Sequence, residues 1–263
     1  AQLIRTVRKE SDMKKITSKG CISLIPEIAV KKREKSKKQQ LLLTNKRVDW
    51  GFKQSVQAAQ LRIEKQMEQE HKQVLLVSST LPQEGKSMTA VNLALAFMQH
   101  EKKTVLIDGD LRKPSVAEML GMEEQKGLAE YLKGNAKVKE VLQKKGDLTV
   151  IQGGKVHGNI SSLMDESRME ELMTFLKSEF DYVIIDTPPA YLFSDAAILA
   201  GYADRVLYVV RHDMAEIPQI EKGMESFIQE DKLLGYLINR SQKGFASYGK
   251  YGYGKYGYGK YGY

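Results

Sequence analysis

The chain has 263 residues and a single cysteine, Cys21. That excludes an internal disulfide and a cysteine-based zinc cluster, and it suits a reducing cytoplasm. No run of 18 apolar residues occurs, so no stretch reads as a membrane-spanning helix. Acidic residues are scarce at both ends. Residues 1–50 carry 14 Lys+Arg against 5 Asp+Glu, and residues 244–263 carry three Lys and no acid. The remaining stretch, 51–243, holds 24 basic and 28 acidic side chains, so the net charge of +8 belongs to the flanks. A pI of 9.2 over the whole chain would point to nucleic acid. A slightly acidic middle argues against that reading.

Three regions follow from composition. Residues 1–50 form a basic, broken N-terminal segment with a dense run from Lys31 to Lys38. Such a run reads as a solvated linker, or as a juxtamembrane segment drawn to anionic lipid at roughly 1 kcal/mol per basic residue. Residues 244–263 are of low complexity. Between them, 51–243 alternates strand-like and helix-like patterns. A helix is predicted from about Phe52 to Glu70, rich in good helix formers. Further helices are expected at Ser87–His100 and Met169–Ser178. Strands are expected at Val74–Val77, Thr104–Ile107, Leu148–Ile151, Tyr182–Ile185, Arg205–Val210 and Leu233–Ile238. Each is a short apolar run without alternation, the signature of strands buried on both faces. The fold class is therefore α/β, P-loop NTPase-like, with a mostly parallel β-sheet and helices on both faces. Ligands of such folds bind outside the carboxyl ends of the strands.

Three motifs sit at those ends. Val74–Val77 runs into Ser78-Ser79-Thr80-Leu81-Pro82-Gln83-Glu84-Gly85-Lys86-Ser87 and then a helix, the context of a phosphate-binding loop. Successive N–H groups of Pro82–Met88 (Gln83, Glu84, Gly85, Lys86, Ser87 and Met88) would cradle phosphate at a helix N-terminus. Lys86 would reach the β- and γ-phosphates of ATP, and the Ser87 hydroxyl would ligate Mg²⁺. The consensus glycine is Thr80 here, and Gln83 occupies a position where the backbone calls for positive φ, costly for a residue with a side chain. Thr104–Ile107 ends in Asp108-Gly109-Asp110-Leu111-Arg112-Lys113-Pro114, and Tyr182–Ile185 ends in Asp186-Thr187-Pro188-Pro189. An apolar strand ending in Asp downstream of a phosphate loop is the arrangement that orders Mg²⁺ and its waters. Alone, each Asp would serve equally as a cap or turn former. Asp108 acts either on the metal or as the base that takes a proton from the acceptor. Arg112 either neutralises charge on the transferring phosphoryl group or makes a surface salt bridge.

The tail is the third feature. Tyr248, Tyr251, Tyr253, Tyr256, Tyr258, Tyr261 and Tyr263 are seven of the chain's 13 tyrosines, set in a Gly-Lys-Tyr-Gly-Tyr repeat. A five-residue period fits neither a helix face nor strand alternation, so the tail is expected to be disordered. Alone it would read as a sticky or RNA-binding tail. Beside a phosphoryl-transfer site, its phenols read as phosphate acceptors, each phosphate adding about −1.5 to −2 charges.

Ser79–Ser87 with Asn92-Leu-Ala, Val105–Pro114, and Val183–Pro189 with Asp195-Ala resemble the Walker A, A′ and B motifs of the bacterial tyrosine kinases that regulate capsule and exopolysaccharide synthesis. The tyrosine-rich C-terminus resembles theirs too, and Ser23–Glu27 with the basic run resembles the segment joining their transmembrane region to the kinase domain. The resemblance covers about Ile22 to the end. It implies Mg-ATP-dependent autophosphorylation in trans within a ring of copies. Lys86 and Ser87 would hold nucleotide and metal, and Asp108, Asp110 and Asp186 would form the acidic set. It also implies a membrane activator with a polysaccharide chain-length domain, fused or separate, a cognate tyrosine phosphatase, and a place at the cytoplasmic face of the membrane; the charge distribution, for its part, leads one to expect no nucleic-acid partner. Two segments depart from the family. Its subunit-contact motif Glu-x-x-Arg-x-x-Arg falls on Gln54, Gln57 and Gln60, without charge. Its Asn-Pro stretch falls on His157-Gly158-Asn159-Ile160-Ser161, without Pro. Two other readings compete: a partition- or cell-division-type ATPase, whose signature Lys is Leu81 here, and a non-catalytic nucleotide-dependent module.

Overall fold

The computed structural model describes residues 5–28, 41–156, 163 and 166–242. Elements run in the order α1 (Glu10–Met13), β1 (Cys21–Pro26), α2 (Trp50–Gln69), β2 (Val74–Ser79), α3 (Lys86–Gln99), β3 (Thr104–Asp108), α4 (Val116–Leu120), α5 (Leu128–Leu132), α6 (Val138–Val141), β4 (Gln143–Lys145), β5 (Leu148–Ile151), α7 (Glu166–Glu179), β6 (Tyr182–Asp186), α8 (Asp195–Ala200), β7 (Arg205–Arg211), α9 (Ile217–Gln229) and β8 (Leu233–Ser241).

The eight strands form one sheet in the order β1-β8-β7-β2-β6-β3-β5-β4. All neighbours are parallel except β4 and β5. The central strands are buried throughout because each face carries its own apolar layer. Leu75, Val77, Leu106, Ile184 and Leu207 point to one side, where α2 and α3 supply Ile63, Met67, Leu93 and Phe97. Val74, Leu76, Ile107, Ile185 and Tyr208 point to the other, where α7, α8 and α9 supply Leu172, Leu176, Leu199 and Met224. Helices on both faces exclude water from the sheet, which is why parallel strands dominate it.

All six expected strands are present. Two more were not expected. Cys21–Pro26 lies in the basic N-terminal segment and pairs with β8 as the sheet's edge, so part of that segment is built into the sheet. Gln143–Lys145 is polar and escapes an apolar-run search; it is the opposite edge.

Strand order places the site. β2 lies between β6 and β7, so the chain leaves β2 in one direction to β3 and returns across it from β6 to β7. The carboxyl end of β2 is therefore the point where the winding reverses, and a crevice opens there. Among the described residues, no helix is long and apolar enough to cross a membrane.

Candidate active site

The loop after β2 wraps the N-terminus of α3. Gly85 caps that helix with φ 97°, in the left-handed region, and a side chain there would collide with the Asn239 amide. Glycine is therefore required both for conformation and for space. Gln83 also has positive φ, 66°, as its motif position led one to expect. Its backbone carbonyl accepts from the Arg211 guanidinium at 3.3 Å, which helps hold the strained conformation.

Neighbouring strands brace the loop. The Asn239 amide donates to the Glu84 carbonyl at 2.8 Å, and the Tyr208 hydroxyl lies 3.2 Å from that of Thr80. Thr80, where the consensus has glycine, is buried in this contact. Glu84 turns its side chain inward, where its carboxylate accepts from the Leu81 and Arg211 backbone N–H groups. Burial raises its pKa to about 7 despite those bonds. Only the backbone of Glu84 is thus placed to face a phosphate. Pro82 and Gln83 are exposed, and Met88 packs its side chain against the α2–α3 face of the core.

Lys86 and three strand-end carboxylates meet in the crevice. The Lys86 ammonium donates to Asp110 Oδ2 at 2.8 Å and to Ser87 Oγ at 3.1 Å, and lies 3.7 Å from Asp186 Oδ1. Burial acts to lower the lysine pKa, but Asp186 and Asp110 outweigh it and hold it above its usual value. Asp186 is fully buried, and neither of its oxygens closes a hydrogen bond; the Ser87 hydroxyl and the Thr187 N–H only face it. Asp108 gives Oδ2 to the N–H groups of Ser115 and Val116 at the start of α4, and its Oδ1 has no partner. Burial, then the proximity of Asp186, raises the Asp108 pKa; burial likewise raises that of Asp186. β3 and β6 are in register at Asp108 and Asp186, and Gly109 donates to the Asp186 carbonyl at 2.8 Å. A side chain at Gly109 would collide with that carbonyl. The glycine is what lets the two acidic strand ends approach.

Arg112 stands beside this group. It forks onto Asp195, Nε to Oδ2 at 2.5 Å and Nη2 to Oδ1 at 3.2 Å, and stacks 4.3 Å from the Phe193 ring centre. Arg112 is therefore tied to the loop after β6, with its side chain 33% exposed. The sequence reading did not single out Asp195 as a site residue, nor Arg211, Tyr208 and Asn239. The latter three sit on the carboxyl-terminal halves of β7 and β8, where the rule for parallel sheets directs attention.

Nucleotide and metal fit these residues. The α3 N-terminus and its loop supply backbone donors, and the orphaned oxygens of Asp108 and Asp186 lack partners that a cation or its waters would supply. Among the described residues no three acidic, His or Cys side chains converge as a ready-made metal cage. That suits Mg²⁺, which keeps waters and shares phosphate oxygens rather than filling an all-protein site. Tyr248–Tyr263 and His157–Ser161 lie outside the described residues.

Known proteins agree with this architecture. The chain is 35% identical over 183 residues to tyrosine-protein kinase CpsD of Streptococcus agalactiae, covering 68% of this chain and 80% of that protein. Tyrosine-protein kinase YwqD of Bacillus subtilis is also 35% identical, over 182 residues, 68% of this chain and 77% of the relative. The chain belongs to the bacterial tyrosine-protein kinase family. It spans only 32% of another member, tyrosine-protein kinase wzc of Salmonella typhimurium, at 29% identity. The solved chimerical protein CapA2B2 superposes with a TM-score of 0.79 at 25% identity, over 89% of this chain and all of the other. The kinase domain of Escherichia coli tyrosine kinase ETK shares the fold with a TM-score of 0.78 at 24% identity, over 97% of this chain and all of the other. Residues 70–199 also match the ParA family, described as a NUBPL iron-transfer P-loop NTPase. The Mg-ADP complex of the septum site-determining protein MinD from Pyrococcus horikoshii shares the fold more distantly, with a TM-score of 0.56 over 64% of this chain and 70% of the other. The P-loop fold is a nucleotide-binding one, generally used with a divalent metal.

Proposed function

We propose that this chain is an ATP-dependent protein-tyrosine kinase that phosphorylates the tyrosine tail of a second copy, Tyr248 to Tyr263. The observation that carries the reading is the buried lysine of the phosphate loop, set against carboxylates from two adjacent strand ends. In this reading the backbone of Pro82–Met88 binds the ATP phosphates. Lys86 leaves Asp110 to meet the β- and γ-phosphates, and Ser87 and Asp186 would hold Mg²⁺. Mg²⁺, when bound, neutralises charge that accumulates on the phosphates. Asp108, with a free oxygen and a raised pKa, takes the phenol proton. Arg112 turns toward the phosphoryl group from its bond to Asp195.

The kinase works at the inner face of the cell membrane. It works with a membrane activator carrying a polysaccharide chain-length domain, and a cognate phosphatase reverses its action. Its output regulates capsule or exopolysaccharide synthesis and export. At the positions of the family's subunit-contact motif on α2, the side chains bond within their own helix, Gln54 to Gln57 at 3.2 Å and the buried Gln60 to Glu64, so these three positions bring no charged contact to a ring.

Strain at Gln83 favours a second reading, a nucleotide-dependent regulatory module with little turnover. The test is intact mass after incubation with and without Mg-ATP, beside Lys86→Met. Successive single-phosphate steps, lost in the variant, support the kinase. Bound ATP without phosphate transfer favours the module.

A further inference from the structure

Behind the phosphate loop lies a buried acid without a counter-ion. Glu84 is fully buried, although its backbone belongs to the anion cradle. Its Oε2 accepts from the Leu81 N–H at 2.6 Å and its Oε1 from the Arg211 N–H at 3.2 Å, and the Ser79 hydroxyl lies beside the carboxylate. Among the described residues no side-chain cation pairs with it. The Arg211 guanidinium, on β7, is turned to the Gln83 carbonyl, and the Lys86 ammonium, on α3, is held by Asp110 and Ser87. Tyr208, also on β7, gives its hydroxyl to Thr80, and burial pushes its pKa well above the ordinary phenol value, so it stays neutral. From β8 comes only the neutral amide of Asn239.

The shell around Glu84 accommodates the neutral acid. The Ser79 hydroxyl donates to the Leu81 carbonyl at 3.0 Å, so toward Glu84 it can only accept. A carboxyl O–H satisfies that lone pair and a carboxylate does not. Both N–H bonds survive protonation, because each carboxyl oxygen keeps a lone pair. Burial sets the balance, and the carboxyl titrates at about 7. Phosphates on the N–H groups of Gln83 to Met88 would add negative charge to the opposite face of the same loop. A like charge favours the neutral form of a carboxyl, the more so away from water.

We propose that Glu84 is a positioning residue that takes up a proton from solvent when the phosphate loop receives nucleotide, so that loading is coupled to pH through a side chain that touches no phosphate. This rests on the nucleotide-binding reading above and adds a control on the affinity of that site. As the neutral acid, Glu84 keeps the loop tied to β7 through Leu81 and Arg211 without opposing the phosphates.

The probe is Mg-ADP, which binds without transfer. Its binding to the full chain is followed by calorimetry at pH 7 in Pipes and in imidazole, whose ionisation enthalpies differ, and the difference counts protons. Glu84→Gln is treated alike, so protons exchanged by the nucleotide and by the aspartates cancel between the two chains. If the phosphates tighten proton binding at Glu84 about tenfold, the unaltered chain takes up about 0.4 proton more than the variant. The affinity of the unaltered chain should also fall about five-fold more than the variant's between pH 6 and 8. The sign follows from the raised pKa of the bound state: the advantage is full at low pH and is lost as pH rises through the titration. A variant weakened equally at every pH, with the same proton count as its parent, overturns the proposal and leaves nucleotide binding standing. No binding of Mg-ADP to the unaltered chain overturns both. If the variant fails to fold, carbon-13 NMR of the unaltered chain labelled only at glutamate carboxyls decides, since the aspartates are then silent. One glutamate titrating near pH 7 and moving upward with Mg-ADP supports the proposal; no glutamate moving upward overturns it.

Discussion

Replacing Asp186 by asparagine should make the nucleotide-free chain more stable while abolishing its activity. Asp186 is fully buried, closes no hydrogen bond, and has one counter-charge, Lys86 at 3.7 Å, which is shared with Asp110 at 2.8 Å. An unsatisfied buried polar group costs about 1–3 kcal/mol, and more if charged. The distant lysine offsets part of this, leaving about 1–2 kcal/mol for asparagine to recover. Lys86 keeps its closer partner in the variant. The effect must depend on pH. Burial raises the Asp186 pKa above its ordinary 3.8, so the folded chain binds more protons than the unfolded chain as pH climbs past that value. Stability is then highest below the ordinary value and falls as pH rises through the raised one. The advantage of asparagine is accordingly near zero at pH 4 and full at pH 8. Thermal melts in EDTA without nucleotide, at pH 4 to 8, should show Tm rising by roughly 2–8 °C at the alkaline end. A variant less stable than the parent at pH 8, or equally improved at every pH, would refute the reasoning.

Gln83→Gly should relieve left-handed strain of about 1–2 kcal/mol and give back about 0.4–1 kcal/mol to the unfolded chain. A net gain of about 0.5–1 kcal/mol in urea, with tighter ATP-analogue binding, is the expected result. Glu84→Gln should flatten the stability profile between pH 4.5 and 7. The buried carboxyl titrates at about 7 instead of 4.5, so the parent loses stability as pH rises through that window. Denaturation midpoints of both chains at pH 5 and 8 check the sign. Arg112→Ala leaves Asp195, 1% exposed, without its forked partner. Because the arginine is itself a third exposed, a loss of about 1–2 kcal/mol is expected, smaller than for a fully buried pair. Combining it with Asp195→Ala should cost much less than the sum of the two single changes.

The sheet was legible because parallel strands buried on both faces must be apolar along their whole length. Val74–Val77 and Tyr182–Ile185 announce themselves on that ground alone. The edges were not legible for the converse reason. Cys21–Pro26 contains proline and sits in a basic stretch, and Gln143–Lys145 carries two exposed lysines. An edge strand is covered on fewer sides and needs no unbroken apolar run. Lys86, Asp108, Asp110 and Asp186 could be singled out because each lies at a strand end or loop with a distinct pattern. Their division of labour could not. That Asp110, rather than Asp186, is the near partner of Lys86, and that Asp108 spends one oxygen capping α4, depends on side-chain directions in three dimensions. The bracing of the phosphate loop by Arg211 and Asn239 was invisible for a related reason. Those residues are 127 and 155 positions from Glu84 in the chain, and only the order of strands brings them together.

The central claim is transfer to the tail of another copy, and a mixing experiment tests it most directly. A Lys86→Met chain, lengthened by a tag so that its mass is distinct, is incubated with the unaltered chain and Mg-ATP. The account predicts phosphate on Tyr248–Tyr263 of the inactive chain, appearing only when the unaltered chain is present and faster at higher concentration of either. Phosphate confined to the unaltered chain, at a rate independent of concentration, or absent from both, would contradict it.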